Sequence, residues 1–184
     1  MKKRGYLEII SGGMYSGKSE ELIRRLKRCS FANIKFQLFK PEIDNRYSEN
    51  KVVTHDKDSQ LSALSVSTPK ELISLVESDT TVVGIDEVQF FDETIVEVIE
   101  QLNEKGIRVV AAGLDMYSTG EPFGSTGILM AKAKYVSKLH AVCVVCGNNA
   151  YISKAISEND SANNESTVKV GSVGDYVAVC ENCK

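Results

Sequence analysis

The sequence has no long apolar run and no excess of positive charge, and both absences restrict what it does. Its 22 lysines and arginines stand against 25 aspartates and glutamates, so the formal net charge is -3. A protein that binds DNA or RNA usually carries a basic surface, so nucleic acid is not an expected partner. No apolar segment approaches the roughly 20 residues of a membrane span, and the first residues do not resemble a signal peptide. The composition therefore predicts a soluble cytoplasmic protein without a membrane partner.

Cysteine is scarce, and its distribution is uneven. Five cysteines among 184 residues are too few for a disulfide scaffold. Four of them form two C-x-x-C pairs, and Cys29 is left over as a small, half-buried residue. Internal repeats are also absent. With 42% apolar residues, the chain can bury one substantial core and a small appendage.

Strand-like and helix-like segments alternate along the first two thirds of the chain. We predict strands at 6–11, 36–39, 81–85 and 108–112, and helices at 19–31, 69–77 and 94–105, with Thr68 as a helix cap. Residues 42–59 are predicted to be a loop, and strand 36–39 to stop at Lys40. This alternation is typical of an α/β domain whose mainly parallel sheet carries helices on both faces.

The pattern changes after residue 140. Short β-like pieces at 168–170 and 176–179 flank a polar run, 158–167, that we interpret as a flexible loop. We therefore divide the chain into an α/β domain at 1–140 and a small β domain at 141–184.

The stretch GGMYSGKS follows the first predicted strand and precedes the first predicted helix. It satisfies the P-loop pattern G-x-x-x-x-G-K-[ST], in which glycines let backbone N–H groups point at phosphate oxygens. The lysine would reach the terminal phosphates and the serine would bind Mg²⁺. The predicted ATP-binding residues of this loop are Gly12, Gly13, Met14, Tyr15, Ser16, Gly17, Lys18 and Ser19.

Two carboxylates, Asp86 and Glu87, follow the buried segment VVGI. A strand that ends this way presents them at the carboxyl edge of the sheet, beside the nucleotide. Asp86 suits the shell of Mg²⁺, and Glu87 suits a general base for whatever attacks the γ-phosphorus. If water attacks, the protein is an ATPase; if a substrate hydroxyl attacks, it is a kinase.

The two C-x-x-C pairs are Cys143 with Cys146 and Cys180 with Cys183. Four thiolates can surround Zn²⁺ tetrahedrally, and no catalytic glutamate accompanies them, so a closed structural site is favoured. A redox role is the alternative for either pair alone. Folding of the tail would then depend on metal.

The order of the segments GGMYSGKS, FKPEIDNRYS, THD, IDEVQFF, GLDMYSTGEPFG, CVVCG and GDYVAVCENC resembles the thymidine kinases shared by bacteria, animals and poxviruses. The resemblance covers nearly the whole chain. It implies a RecA-like P-loop domain with a C-terminal zinc domain, whose lasso loop covers the nucleoside. It further implies transfer of the ATP γ-phosphate to the 5′-hydroxyl of thymidine or deoxyuridine, a homotetramer, and thymidine triphosphate as feedback inhibitor.

The same resemblance assigns site residues. Glu87 matches the general base, and the positions that match the nucleoside site are Met14, Phe90, Leu114, Phe123, Ser153, Val170, Gly171, Ser172, Val173 and Tyr176. Asp44 and Arg46 match a D-x-R segment near the phosphates, while His55 is interpreted as a structural loop residue.

Three positions depart from the family pattern. Ser118 stands where an aromatic residue is common, Ala155 where an arginine is usual, and Ser172 where a second glycine is common. A serine cannot stack on a base, and base–aromatic contacts contribute on the order of 1 kcal/mol. These departures concern nucleoside affinity more than phosphoryl transfer. Two other hypotheses stay open at this stage: a RecA-like zinc-containing ATPase that acts on nucleic acid or a protein, and a nucleotide-binding regulator without turnover.

Overall fold

The computed structural model of the chain describes residues 4–43, 51–53, 60–156 and 175–184. Its strands, in chain order, are β1 (Leu7–Gly12), β2 (Phe36–Pro41), β3 (Lys51–Val53), β4 (Gln60–Ser62), β5 (Leu64–Val66), β6 (Val82–Ile85), β7 (Arg108–Gly113), β8 (Tyr135–Leu139), β9 (Ala141–Val142), β10 (Asn149–Ala150), β11 (Ile152–Ala155) and β12 (Tyr176–Val179). Its α-helices are α1 (Lys18–Phe31), α2 (Pro69–Ser74), α3 (Ile95–Glu104) and α4 (Thr126–Lys132).

Six strands form one sheet in the order β5-β2-β6-β7-β1-β8, and every neighbouring pair is parallel. The inner strands are buried on both faces and read as short apolar runs, as parallel strands do. All six carboxyl ends therefore meet at one edge of the sheet. One strand, β7, lies between β1 and β6.

Helices cover both faces of this sheet. Leu22, Ile23 and Leu26 of α1 pack with Ile10 and Leu38 on one face. On the opposite face, apolar residues of the other three helices share a second core cluster with the sheet, among them Leu72, Ile99 and Leu129. A mainly parallel sheet with helices on both faces was predicted from the sequence, and it is confirmed.

The tail consists of two short antiparallel pairs, β9 with β10 and β11 with β12. Its own small core contains Ala141, Ala150 and Val179 together with Cys143 and Cys180. A backbone hydrogen bond of 3.1 Å from Val144 N–H to the Ala178 carbonyl ties the first cysteine pair to β12. The segment with the first cysteine pair and the β11–β12 pair are thus one packed unit.

The predicted helices and strands before residue 113 are present, with shifts at their ends. The Thr68 hydroxyl caps α2 by accepting from Glu71 N–H, as predicted. Two boundaries were wrong: β2 continues through Pro41, which pairs with Val66 of β5, and α2 ends at Ser74. Proline is tolerated at Pro41 because it lacks only the donor, and its carbonyl remains available.

Two predictions about loops need correction or fall outside the structure. The segment 42–59 contains a strand at 51–53 that pairs with residues 60–62, so it is not a loop throughout.

Two elements, α4 and β8, were not predicted. Strand β8 was missed because it lies at the sheet edge and is only partly buried. The predicted loop 158–167 and the piece 168–170 lie outside the described residues. Among the helices that are described, none has the length and apolar character needed to cross a membrane.

Candidate active site

The P-loop joins the end of β1 to the start of α1, as its mechanism requires. Gly12 and Gly17 have φ of 148° and 82°, and Tyr15 also adopts a positive φ of 64°. A Cβ on Gly12 would lie 2.3 Å from the Leu139 carbonyl oxygen, so only glycine fits there without movement. Positive φ favours glycine because it lacks a Cβ, which explains two of the glycines in the motif.

Two side chains of the P-loop form hydrogen bonds with the backbone of the same loop. Lys18 Nζ donates to the Gly13 carbonyl at 2.7 Å, and Ser16 Oγ donates to the same oxygen at 2.8 Å. These contacts fold the loop into a compact turn with the lysine ammonium beside it. A P-loop lysine in this position provides the positive charge that a triphosphate needs.

Ser19 and Asp86 meet at the edge of the sheet, although 67 positions separate them in the sequence. Ser19 Oγ donates to the Asp86 carboxylate, at 3.0 Å from Oδ2 and 3.3 Å from Oδ1. Asp86 is buried, which makes this a fixed pair of oxygen ligands. A hydroxyl beside a carboxylate is the donor set that Mg²⁺ takes in nucleotide sites, so the residues present fit this ion.

Glu87, two residues after the end of β6, has an unusual backbone conformation. Its φ of 49° and ψ of 44° lie in the left-handed region, and a single 3₁₀ turn, Val88–Phe90, follows it. Its carboxylate Oε2 accepts a hydrogen bond of 2.5 Å from Gln89 Nε2. Non-glycine residues in this region cost on the order of 1–3 kcal/mol and persist where the surroundings hold them, often at functional sites.

Gln89 is a site residue that the sequence analysis missed. Its side chain is 3% exposed and bridges Glu87 to the backbone N–H of Leu114, which donates to Oε1 at 3.0 Å. The signal was present in the motif D-E-x-Q-F, since an amide two residues after a carboxylate can reach back to it. The Gln89 side chain therefore connects Glu87 to the backbone of Leu114, a residue predicted at the nucleoside site.

The aromatic rings of Phe90, Tyr117 and Phe123 pack together. Phe90 and Phe123, both predicted at the nucleoside site, are edge to face with ring centroids 5.6 Å apart. Tyr117 stacks on Phe123 at 3.9 Å and remains 39% exposed. Ser118 stands where an aromatic residue was expected, and the neighbouring Tyr117, which was not predicted at the site, supplies an aromatic ring in this segment.

The tail reaches the P-loop through direct hydrogen bonds. Met14 N–H donates to Ser153 Oγ on β11 at 2.9 Å, and Tyr15 O–H donates to the Tyr176 carbonyl on β12 at 3.1 Å. A Cβ on Gly13 would lie 3.1 Å from the Tyr151 carbonyl oxygen, so the two segments approach closely. Met14, Ser153 and Tyr176, predicted to share a nucleoside site, are therefore neighbours.

Several predicted residues lie outside the described part of the chain. They are Val170, Gly171, Ser172 and Val173, which were predicted to belong to a lasso loop, together with Asp44, Arg46 and His55. Their predicted roles stay predictions.

The four paired cysteines form a candidate metal centre. The sulfur atoms of Cys143, Cys146, Cys180 and Cys183 all lie within 4.8 Å of one another. Zinc with four thiolates at about 2.3 Å needs sulfurs roughly 3.8 Å apart, so this donor set fits Zn²⁺. Hydrogen bonding with the Cys146 and Cys180 thiols and burial raise the pKa of Cys183 to about 12, so without a metal this thiol keeps its proton. A dication at the centre of the four sulfurs would lower that pKa.

The fold and the site define a P-loop nucleotide-binding α/β protein with a tail that could hold zinc. A family model for thymidine kinase matches residues 5–184, so the chain belongs to the thymidine kinase family. Membership implies a phosphotransferase that acts on a nucleoside. The chain is also similar to the solved structure of the genome packaging NTPase B204 from Sulfolobus turreted icosahedral virus 2 in complex with ATP-gammaS, with 15% identity, a TM-score of 0.45, and coverage of 72% of this chain and 73% of that chain.

Proposed function

We propose that the protein transfers the γ-phosphate of ATP to the 5′-hydroxyl of thymidine or deoxyuridine. The observation that carries the proposal is the order of groups at the sheet edge. Ser19 contacts the Asp86 carboxylate, and Glu87 follows directly on the same strand end. A base beside a P-loop supports catalysis over nucleotide binding alone, and membership of the thymidine kinase family favours a nucleoside hydroxyl over water as the group that it activates.

The P-loop would bind the triphosphate. Its backbone N–H groups and the start of α1 would contact phosphate oxygens, and the Lys18 ammonium would reach the terminal phosphates. Ser19 and Asp86 would hold Mg²⁺, which when bound offsets the negative charge of the phosphates. Charge that develops on the transferred group is then stabilised by fixed donors.

Glu87 would act as the general base. As the 5′-oxygen forms its bond to the γ-phosphorus, the hydroxyl proton moves to the Glu87 carboxylate, and the bond from the γ-phosphorus to the β–γ bridging oxygen breaks. The products are the nucleoside 5′-monophosphate and ADP. The enzyme would require in-line placement of the two oxygens, which a fixed base and a fixed phosphate site promote.

The nucleoside would lie between the P-loop and the aromatic rings. Met14, Leu114, Phe90 and Phe123 would contact the base and sugar, and Tyr117 adds a ring beside them. Ser153, Tyr176 and residues 170–173 of the lasso would cover the nucleoside from the tail. Division into an α/β domain at 1–140 and a zinc domain at 141–184 is part of this proposal.

The remaining features follow from the family and belong to the same proposal. The protein would work in the cytoplasm as a homotetramer, with Zn²⁺ as a structural ion. Thymidine triphosphate would inhibit it by placing its base in the nucleoside site and its phosphates at the P-loop.

The test is a turnover assay on the purified protein with ATP, Mg²⁺ and thymidine. Thymidine 5′-monophosphate should form, and Glu87→Gln should reduce kcat at least 100-fold while the affinity for ATP persists, as loss of a general base does. Glu93→Gln is the matched control, because Glu93 is an exposed acid six residues further along the chain. Failure to phosphorylate any pyrimidine deoxynucleoside would reject the proposal, and full activity in Glu87→Gln would remove Glu87 from the role of base.

A further inference from the structure

We infer that Gln89 is a positioning residue that aims the Glu87 carboxylate and connects it to the nucleoside-side segment after β7. The inference rests on the proposed phosphoryl transfer, and it adds a residue to which the site assignment gave no role. Its basis is a chain of two hydrogen bonds, from Leu114 N–H to Gln89 Oε1 at 3.0 Å and from Gln89 Nε2 to Glu87 Oε2 at 2.5 Å.

The chemistry of these two contacts fixes the orientation of the amide. A backbone N–H can only donate, so the Gln89 atom that faces Leu114 must be the carbonyl oxygen. The NH₂ group is then directed at Glu87, where an ionised carboxylate can only accept. Reversing the amide would set donor against donor at one end and acceptor against acceptor at the other.

One glycine makes space for this side chain, and a second lies against the Gln89 backbone. A Cβ on Gly113 would lie 2.6 Å from Gln89 Oε1 and 2.8 Å from Val88 Cγ1. A Cβ on Gly124 would lie 2.6 Å from the backbone carbonyl oxygen of Gln89. Any larger residue at 113 would displace the side-chain amide and any larger residue at 124 would meet the backbone, so both glycines allow Gln89 to lie against this segment.

Glu87 needs such a support because its backbone is not held by a regular strand or helix. It adopts left-handed φ and ψ at the point where β6 ends. A displacement of about 1 Å in a reacting group can cost on the order of 100-fold in rate. The Gln89 amide restrains the carboxylate without adding a net charge of its own.

Through its bond with Leu114 N–H, Gln89 also connects Glu87 to the segment that carries the proposed nucleoside site. Leu114 opens the segment that also carries Tyr117 and Phe123, and the Phe123 backbone N–H donates to the Asp115 carbonyl at 3.0 Å. Movement of this segment on nucleoside binding would therefore be passed to Glu87 through one buried amide.

Two substitutions separate this role from a packing role. Gln89→Glu keeps the size and an acceptor for Leu114 N–H but replaces the donor with a second carboxylate oxygen. Gln89→Met keeps the length and removes both hydrogen bonds. We expect kcat to fall at least tenfold in both variants, while KM for ATP stays within about twofold, because the P-loop is untouched.

A second measurement tests the contact without turnover. In ¹⁵N-labelled protein, the Gln89 side-chain amide signal, identified by its loss in Gln89→Met, should move when Glu87 is replaced by Ala and stay in place in Glu93→Ala. An unmoved amide signal in Glu87→Ala, or kcat within twofold of wild type in both Gln89 variants, would overturn the inference. If the wild type lacks kinase activity but the amide signal moves, the proposed function fails while the positioning contact stands.

Discussion

The backbone N–H of Met14 in the P-loop donates to the hydroxyl of Ser153 on β11, at 2.9 Å. This bond joins two parts of the chain 139 positions apart, one in the P-loop and one in the tail that carries the four clustered cysteines. Ser153 is buried, so its hydroxyl has little access to water as an alternative partner. The tail is therefore attached to the P-loop backbone itself.

Ser153→Ala should weaken nucleoside binding by removing the acceptor of the Met14 N–H. The net contribution of one such hydrogen bond is about 1 kcal/mol, which corresponds to an increase of about fivefold in KM for thymidine. Ser153→Thr keeps the hydroxyl and serves as the matched control. Steady-state kinetics at saturating ATP check this; equal KM values in Ser153→Ala and wild type would contradict the coupling.

Removal of metal should loosen the tail and, through Ser153 and Tyr176, the P-loop. In the double variant Cys180→Ser/Cys183→Ser, we expect zinc content well below one per chain and a lower Tm, because metal binding is coupled to folding at such sites. Cys29→Ser is the control, since Cys29 is a buried residue of α1, apart from the four clustered thiols. Elemental analysis with a thermal melt decides the matter: a full zinc complement and an unchanged Tm in the double variant would exclude the site.

Tyr117 should contribute to nucleoside affinity through its ring. Loss of the ring in Tyr117→Ala removes a stacking surface on Phe123 worth on the order of 1 kcal/mol, so KM for thymidine should rise about fivefold while KM for ATP stays constant. Tyr117→Phe keeps the ring and should behave as wild type. A Tyr117→Ala variant with unchanged KM would show that the stack serves folding alone.

The parts of the fold that depend on a local sequence pattern could be predicted from the sequence. The P-loop, the Asp86–Glu87 strand end and the four cysteines each rest on a short motif whose residue types are required by their chemistry, and all three are found at the predicted places. Helix α1 was predicted to within one residue, because its apolar stripe and the glycine before it are local signals.

The missed features depend on contacts between distant residues. The contact between Gln89 and Glu87 is local, but the hydrogen bond from Leu114 N–H to Gln89 forms only when β6 and β7 lie side by side, so no single segment predicts the connection between Leu114 and Glu87. Tyr117 was missed because the comparison considered position 118, while the ring that stacks on Phe123 comes from the neighbouring residue. Strand β8 lies at an edge and lacks the apolar run on which the other strands were recognised.

Glu21, in the first turn of α1, should make stability depend on pH in the acidic range. A hydrogen bond from Arg24 lowers the pKa of Glu21 from 4.5 to about 2, with Arg25 as a second partner at 2.8 Å. The folded-state pKa lies below the unfolded value, so the stabilisation is fully present above pH 4.5 and is lost as pH falls towards about 2. Because Arg24 is largely exposed, solvent screening limits the effect to about 1 kcal/mol.

The measurement is urea unfolding of wild type and Glu21→Gln at pH 7 and near pH 3. The variant should be less stable by about 1 kcal/mol at pH 7. The difference should shrink by more than half at about pH 3, because Glu21 is protonated in the unfolded wild type at that pH while it stays mostly ionised in the folded protein. Glu97→Gln is the matched control, since Glu97 is an exposed acid in the first turn of α3 and shares only the helix-terminus contribution. A Glu21→Gln deficit that is independent of pH would assign the loss to packing of the side chain instead of its charge.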